Sequence, residues 1–446
     1  MKLLGALFVV AACWLLGKAL LPSRRSLARD LWEESCAAFA IGAAGLVAVS
    51  MTLGWLGVPL GRMVSLALLA AAAAAGVLRI RNETANGETL APSVLLPWQK
   101  GLIAALAVGS ALVLLSTPLS NFDALFHFAY KGKLLWATGD VLDPGFTGMV
   151  DAQDRALRYG RVMTHPDYPI GVPFLMAHAA HAGFGWSERW VQLPLAFWAA
   201  CIPGLVALGL RGGSGSAARW GALIAAATPI LYVRGFLSPG SGGISPMLGV
   251  VDSATLQTPG DPALAAMLTA SCALVLCAVR ERSRCLALLA GLTLAGGAQM
   301  KNEGLALSAI FLLALAISRP LGGKAHWRTV GLVAAAFLLA TTPWLIHRTA
   351  LPTIDENYGA LLTPANVLDK LDAPLAFEAS AAMEVRADVS LRRTAPHRGA
   401  TAVDLLEEEI LPWKGWRNWG LLWPAAMLAM IFGGLHRNPT ARFLAL

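Results

Sequence analysis

The chain has 446 residues, of which 56% are hydrophobic and only 14% charged, with a formal net charge of +8. Soluble domains run near 45–50% apolar and about 25% charged. The apolar residues here fall mostly in runs of about 15–22, the length a helix needs to cross a bilayer core. This composition excludes a soluble enzyme, a disordered scaffold and a β-barrel of short alternating segments, and it indicates an all-α, polytopic membrane protein.

Apolar runs occupy residues 3–21, 36–57, 63–78, 101–119, 170–184, 190–210, 220–237, 262–279, 286–300, 305–317, 330–346 and 419–435. The first is too long for a signal-peptide core and no small-residue cleavage site follows it, so no removable leader is expected. Counting all twelve as spans would place Arg211 and Arg219 opposite Arg79, Arg81 and Lys100. Positive loops mark the cytoplasmic side, and one run resolves the conflict. Residues 170–184 form a short run carrying Pro173, His178 and His181. Read as a half-buried, membrane-hugging helix that does not cross, this run leaves about eleven spans and gathers the basic loops on one side. Those loops hold Arg24, Arg25 and Arg29; Arg79, Arg81 and Lys100; Arg211 and Arg219; Arg280, Arg282 and Arg284; Arg319, Lys324 and Arg328; and Arg437 and Arg442. The first three spans are the least constrained in orientation. The basic surplus thus reads as membrane sidedness, not nucleic-acid binding.

The chain divides into N-terminal helices with a cytoplasmic loop (1–100) and a transmembrane core (101–346) whose first outer loop is 120–189. A second outer loop (347–418) and a C-terminal helix and tail (419–446) follow. Residues 441–446 read as the start of another span or as an interfacial tail. No internal repeat is visible, against the inverted-repeat plan of many transporters. Cys13, Cys36, Cys201, Cys272, Cys277 and Cys285 lie in or beside apolar runs and read as small core residues.

The side opposite the basic loops collects most of the carboxylates and histidines. Asp123 follows the fourth run at the membrane surface, where a carboxylate is costly and often functional; capping of the next helix is the plainer reading. His127 and Lys131 continue its face at i+4 and i+8, so an acid, an imidazole and a cation share one stripe, as a base beside a phosphate site would. Asp151/Arg155 and Asp154/Arg158 are i,i+4 pairs, either a solvated self-paired helix or, with Arg158 and Arg161 turned inward, a phosphate clamp. His165-Pro166-Asp167-Tyr168-Pro169 forces an extended entry into the run at 170, with Asp167 as its cap or as a pocket residue. His178 and His181, with His165 or Asp167, leave a divalent cation open; no cofactor is otherwise called for. Asp252 sits in a polar link, and Asp261-Pro262 has the form of a helix start. Lys301-Asn302-Glu303-Gly304 joins two short runs, with Lys301 and Glu303 either snorkelling or facing an anion.

The order of these pieces resembles the GT-C superfamily of membrane glycosyltransferases, in particular the branch of protein O-mannosyltransferases and lipid A aminoarabinose transferases. Five features carry the likeness: Asn121-Phe122-Asp123 after a span, His165–Pro169 before a membrane-hugging helix, Glu188-Arg189 before the next span, Asp261-Pro262 opening a span, and Lys301–Gly304 after a short one. The resemblance implies a GT-C-like bundle in a bacterial inner membrane, its active face outward. It implies that a sugar passes from a polyprenyl-phosphate carrier to an envelope glycan, lipid or protein acceptor, by a displacement that inverts the anomeric centre. Asp123 would be the general base and Asp261 the second acidic position, with Asp252 as its alternative. Lys301, with Arg158 and Arg161, would face the carrier phosphate. His127, Lys131, His165, Asp167, Tyr168 and Glu303 would line the substrate site. The mannosyltransferase branch commonly carries two adjacent acids where this chain has Asn121-Phe122-Asp123, so that branch's acceptor is not implied. Two other classes stay open: a transporter or flippase of a lipid-linked sugar, and a non-catalytic membrane subunit.

Overall fold

A computed structural model describes residues 1–24, 27, 29–116, 127–143, 168–227, 260–318, 323–349 and 351. Asp123, Arg158, Arg161, His165, Asp167 and Asp252 lie outside the described residues, as do nearly all of the second outer loop and the final apolar run. Twelve α-helices account for most of what is described, and no strand occurs among these residues. They are α1 (Lys2–Leu20), α2 (Leu31–Trp55), α3 (Arg62–Ala85), α4 (Pro97–Ser116), α5 (Tyr130–Thr138), α6 (Gly171–Ala182), α7 (Leu193–Leu210), α8 (Gly215–Ala226), α9 (Gly260–Glu281), α10 (Arg284–Met300), α11 (Glu303–Ser318) and α12 (Gly323–Thr349). Six segments are long and apolar enough to cross a membrane: Lys2–Leu20, Leu31–Trp55, Arg62–Ala85, Trp190–Leu210, Asp261–Glu281 and Ala325–Thr349. Arg284–Met300 and Glu303–Ser318 are shorter apolar helices. The described residues are therefore those of an all-helical membrane protein.

Local chemistry sets the helix ends. Asp30 accepts from Glu33 N while the Glu33 carboxylate accepts from Asp30 N, a reciprocal capping box at the start of α2. Ser214 and Ser283 accept from the amides of Ala217 and Leu286 and cap α8 and α10. α5 stops at Gly139, whose φ of +71° is the left-handed cap conformation.

Glycines let the helix backbones meet. A Cβ on Gly17 would strike Ala38 O, and one on Gly42 would strike Cys13 O, so α1 and α2 touch main chain to main chain. In lipid, where no hydrophobic drive separates helix from tail, such close contact supplies much of the association. Ser271 and Thr293 add a buried 2.9 Å hydrogen bond between α9 and α10.

The contacts also fix polarity. Leu20 O receives the Cys285 thiol, setting the end of α1 beside the start of α10. Arg79 donates to Leu21 O, and Arg211 pairs with Glu33. One end of the bundle therefore gathers Lys18, Arg24, Arg29, Arg79, Arg211, Arg280 and Arg284. This basic end is the one expected from loop charge, and it takes in the first three helices as well. At the far end, Arg62 lies over the Phe184 ring, 5.0 Å from its centroid.

α6 keeps both of its ends at the far end. Gly171 rests on Gln299 O in the last turn of α10, and Gly183 rests on Lys2 at the start of α1. The helix lies across that end of the bundle and does not run its length. It differs from expectation in burial: every residue from Gly171 to His181 is buried, not half-exposed to lipid. α5 lies over it, with Gly132 against Met176 and Trp186, and α1 and α3 close its other sides.

Candidate functional site

Three helix ends build a charged group at the far end. Asp261 stands in the first turn of α9. Lys301 is the extended residue that ends α10, and Glu303 opens α11. Lys301 Nζ lies 2.6 Å from Asp261 Oδ1 and 3.3 Å from Glu303 Oε1. The lysine is largely covered while both carboxylates are exposed. Burial pulls the Lys301 pKa down, but the Asp261 hydrogen bond and the charges of Asp261 and Glu303 outweigh it and hold the ammonium above its usual value. The sequence nominates all three residues separately; the fold joins them in one ion triad.

A second group stands at the same end. Lys131 is fully buried at the start of α5 and donates to Tyr168 O at 2.8 Å. The His127 ring stacks on Tyr168 with centroids 4.8 Å apart. The i,i+4 relation of His127 and Lys131 thus brings both onto one residue. Tyr168 precedes Gly171 by three residues, at most about 11 Å of chain, and Gly171 touches Gln299. The short stretch 168–171 links the two groups.

His178 is held inside the bundle. His178 Nε2 hydrogen bonds Ser50 Oγ at 2.9 Å. Burial, then the His181 charge, pushes the His178 pKa down to about 3; burial, then Arg62, pushes His181 down to about 4. Both rings are neutral at pH 7. Among the described residues no group of three His, Cys, Asp or Glu gathers to hold a metal ion. His165 and Asp167, the further ligands that the sequence offers, lie outside the described residues.

Two features escape sequence reasoning. Gln299, Thr341 and His347 place buried polar atoms beside the candidate site, and nothing in their spacing marks them. At the basic end, Lys18 Nζ lies 2.7 Å from Glu34 and 2.5 Å from Glu83, with all three side chains buried. Arg24 and Arg29 also reach Glu34, Arg79 reaches Glu83, and Arg211 reaches Glu33 and Asp30. A lysine inside the first apolar run was the available signal, because charge at membrane depth needs a partner. No protein-family model, curated protein or solved structure matches the chain.

Proposed function

We propose that the protein is a GT-C-type glycosyltransferase, taking a sugar from a polyprenyl-phosphate carrier to an envelope acceptor on the non-cytoplasmic face. The observation that carries this reading is the Asp261–Lys301–Glu303 triad, standing on an apolar bundle at the end away from the basic loops. A prenyl chain would lie in lipid against the helices while its phosphate and sugar meet this polar end. Asp123 takes the proton of the acceptor hydroxyl. The hydroxyl oxygen forms its bond to the anomeric carbon as the bond to the phosphate oxygen breaks, and that oxygen leaves with the electron pair. Lys301, fixed as an ammonium, offsets the charge gathering on the leaving phosphate. Its two carboxylate neighbours keep the empty site from holding a free buried cation.

The test compares cells lacking the gene with cells carrying the wild type, Asp123→Asn or Lys301→Gln. Envelope glycans and lipid-linked sugars are profiled, and protein levels are checked by blot. Both variants are expected to insert normally, to lose about 100-fold or more in transfer, and to accumulate one polyprenyl-phosphate sugar as the deletion does. A wild-type profile in Asp123→Asn removes the base assignment. Sugar lipid crossing sealed vesicles with no covalent product replaces transfer with transport.

A further inference from the structure

At the basic end, interior and surface differ in charge balance. Every carboxylate described there is engaged by an inner cation. Lys18, Arg24, Arg29 and Arg79 meet Glu34 and Glu83, and Arg211 meets Glu33 and Asp30. Glu88 accepts from the Arg24 amide, and Glu281 pairs with Arg280. None of these acids is left for the outer cations. Among the described residues Arg81, Lys100, Arg219, Arg282 and Arg284 make no ion pair; Arg219 is half-exposed and the others are exposed.

Two of these cations stand beside an exposed tryptophan. Trp98 and Lys100 lie in the first turn of α4, and Arg219 and Trp220 in the second turn of α8. The tryptophans are 56% and 58% exposed. Both helices begin at the basic end, and they pack on one another. Arg211, which ends α7, donates to Pro92 O at 3.1 and 3.2 Å. That contact pins the turn before α8 to the chain just before α4. The two Trp–cation pairs therefore share one part of the rim, and the exposed Leu96 and Leu102 extend it with apolar surface.

This combination selects its partner. A soluble polyanion would answer the cations and leave the indoles and leucines in water. A zwitterionic lipid would cover the apolar groups but brings a cation of its own to the headgroup. An anionic phospholipid satisfies both halves. Indoles settle at the level of the glycerol and upper acyl chains, and Lys and Arg at the surface draw anionic headgroups.

We propose that the starts of α4 and α8 bind an anionic phospholipid of the leaflet at the basic end. Lys100 and Arg219 hold its phosphodiester, and Trp98 and Trp220 cover its glycerol and upper chains. The proposal does not rest on the transferase reading.

The test titrates the full chain in detergent micelles with phosphatidylglycerol, phosphatidylcholine or soluble glycerol phosphate, with bound molecules counted by native mass spectrometry. Each cation near an anionic lipid is worth roughly fivefold in affinity, so the wild type should bind phosphatidylglycerol roughly twenty-five-fold more tightly than phosphatidylcholine. Lys100→Gln and Arg219→Gln should each lower that preference roughly fivefold, and Lys100→Arg should keep it. Arg282→Gln, at a cation of the same end with no tryptophan next to it in the chain, should leave it unchanged. These are surface changes, so the thermal midpoints should stay level. Trp98→Ala combined with Trp220→Ala should weaken both lipids alike. Equal binding of the two lipids by the wild type overturns the site, as does full preference in the variant carrying both Lys100→Gln and Arg219→Gln. A loss in Arg282→Gln as large as in Lys100→Gln replaces the site with the diffuse charge of the whole end. Unchanged lipid binding without the two indoles removes them from the contact. Glycerol phosphate binding as tightly as phosphatidylglycerol overturns the lipid as the source of the anion.

Discussion

Burying a neutral imidazole ties stability to pH, and α6 buries two. In the unfolded chain a histidine takes its proton near pH 6.5; in the folded protein His181 does so only near about 4 and His178 near about 3. Between those values the unfolded state holds more protons, so stability falls as the pH drops below about 6.5. The slope approaches about 1.4 kcal/mol per pH unit for each histidine, and it flattens once each folded ring is protonated. His178 faces Ser50 and His181, while His181 faces Arg62 and the Leu60 carbonyl, so among the described residues no carboxylate reverses this sign. Thermal midpoints in detergent from pH 7 to 4 should fall less steeply in His178→Gln than in the wild type. Parallel curves would show that the neutral ring contributes nothing. At this scale the sequence is legible in part. Spacing places His127 with Lys131, and composition marks Asp261, Lys301 and Glu303. That Lys301 bonds Asp261 across forty residues depends on how α9 and α10 pack, which no local pattern records.

Between elements, the basic end is held by charge and not by apolar contact alone. Lys18 of α1 binds Glu34 of α2 and Glu83 of α3, and Arg211 ties the end of α7 to Glu33 in α2. Removing Lys18 leaves Glu34 and Glu83 to their arginine partners alone, at a cost of up to about 3–5 kcal/mol. Lys18→Met should therefore lower stability by that amount in a detergent unfolding titration. Glu281→Gln, which breaks a half-exposed pair with Arg280, should cost about 1 kcal/mol or less. Equal effects would show that the Lys18 network is solvated and incidental. Helix existence follows from apolar runs, since most described helices coincide with one. The burial of α6 does not: its alternation of Phe174, Leu175 and Met176 with His178 and His181 suits an interface as well as a core. Only the closure of α1, α3 and α5 around it decides between them.

For the whole molecule, charge is sorted by end. Lys and Arg cluster where α1, α3, α7 and α9 finish, and the Asp261–Lys301–Glu303 triad stands where α9 and α11 begin. Loop charge alone foretells this sorting, because alternating spans must return basic loops to one side once residues 170–184 are read as non-crossing. It constrained the first three helices least, and there the Lys18–Glu34–Glu83 contacts and the Arg79–Leu21 bond set their basic ends together. Loop charge predicts that the basic end is cytoplasmic, so the two ends should differ in access from outside. With the exposed Cys285 changed to serine, Arg282→Cys and Asn86→Cys report the basic end, and Leu56→Cys and Leu142→Cys report the far end. All four positions are exposed. In sealed right-side-out vesicles an impermeant maleimide should label only the far-end pair, and detergent should then release the basic-end pair. Labelling of Arg282→Cys before detergent would invert the bundle and turn the triad toward the cytoplasm. A prenyl-phosphate donor presented on the outer leaflet could not then be the substrate. If Asn86→Cys and Arg282→Cys instead report opposite sides, α6 crosses after all.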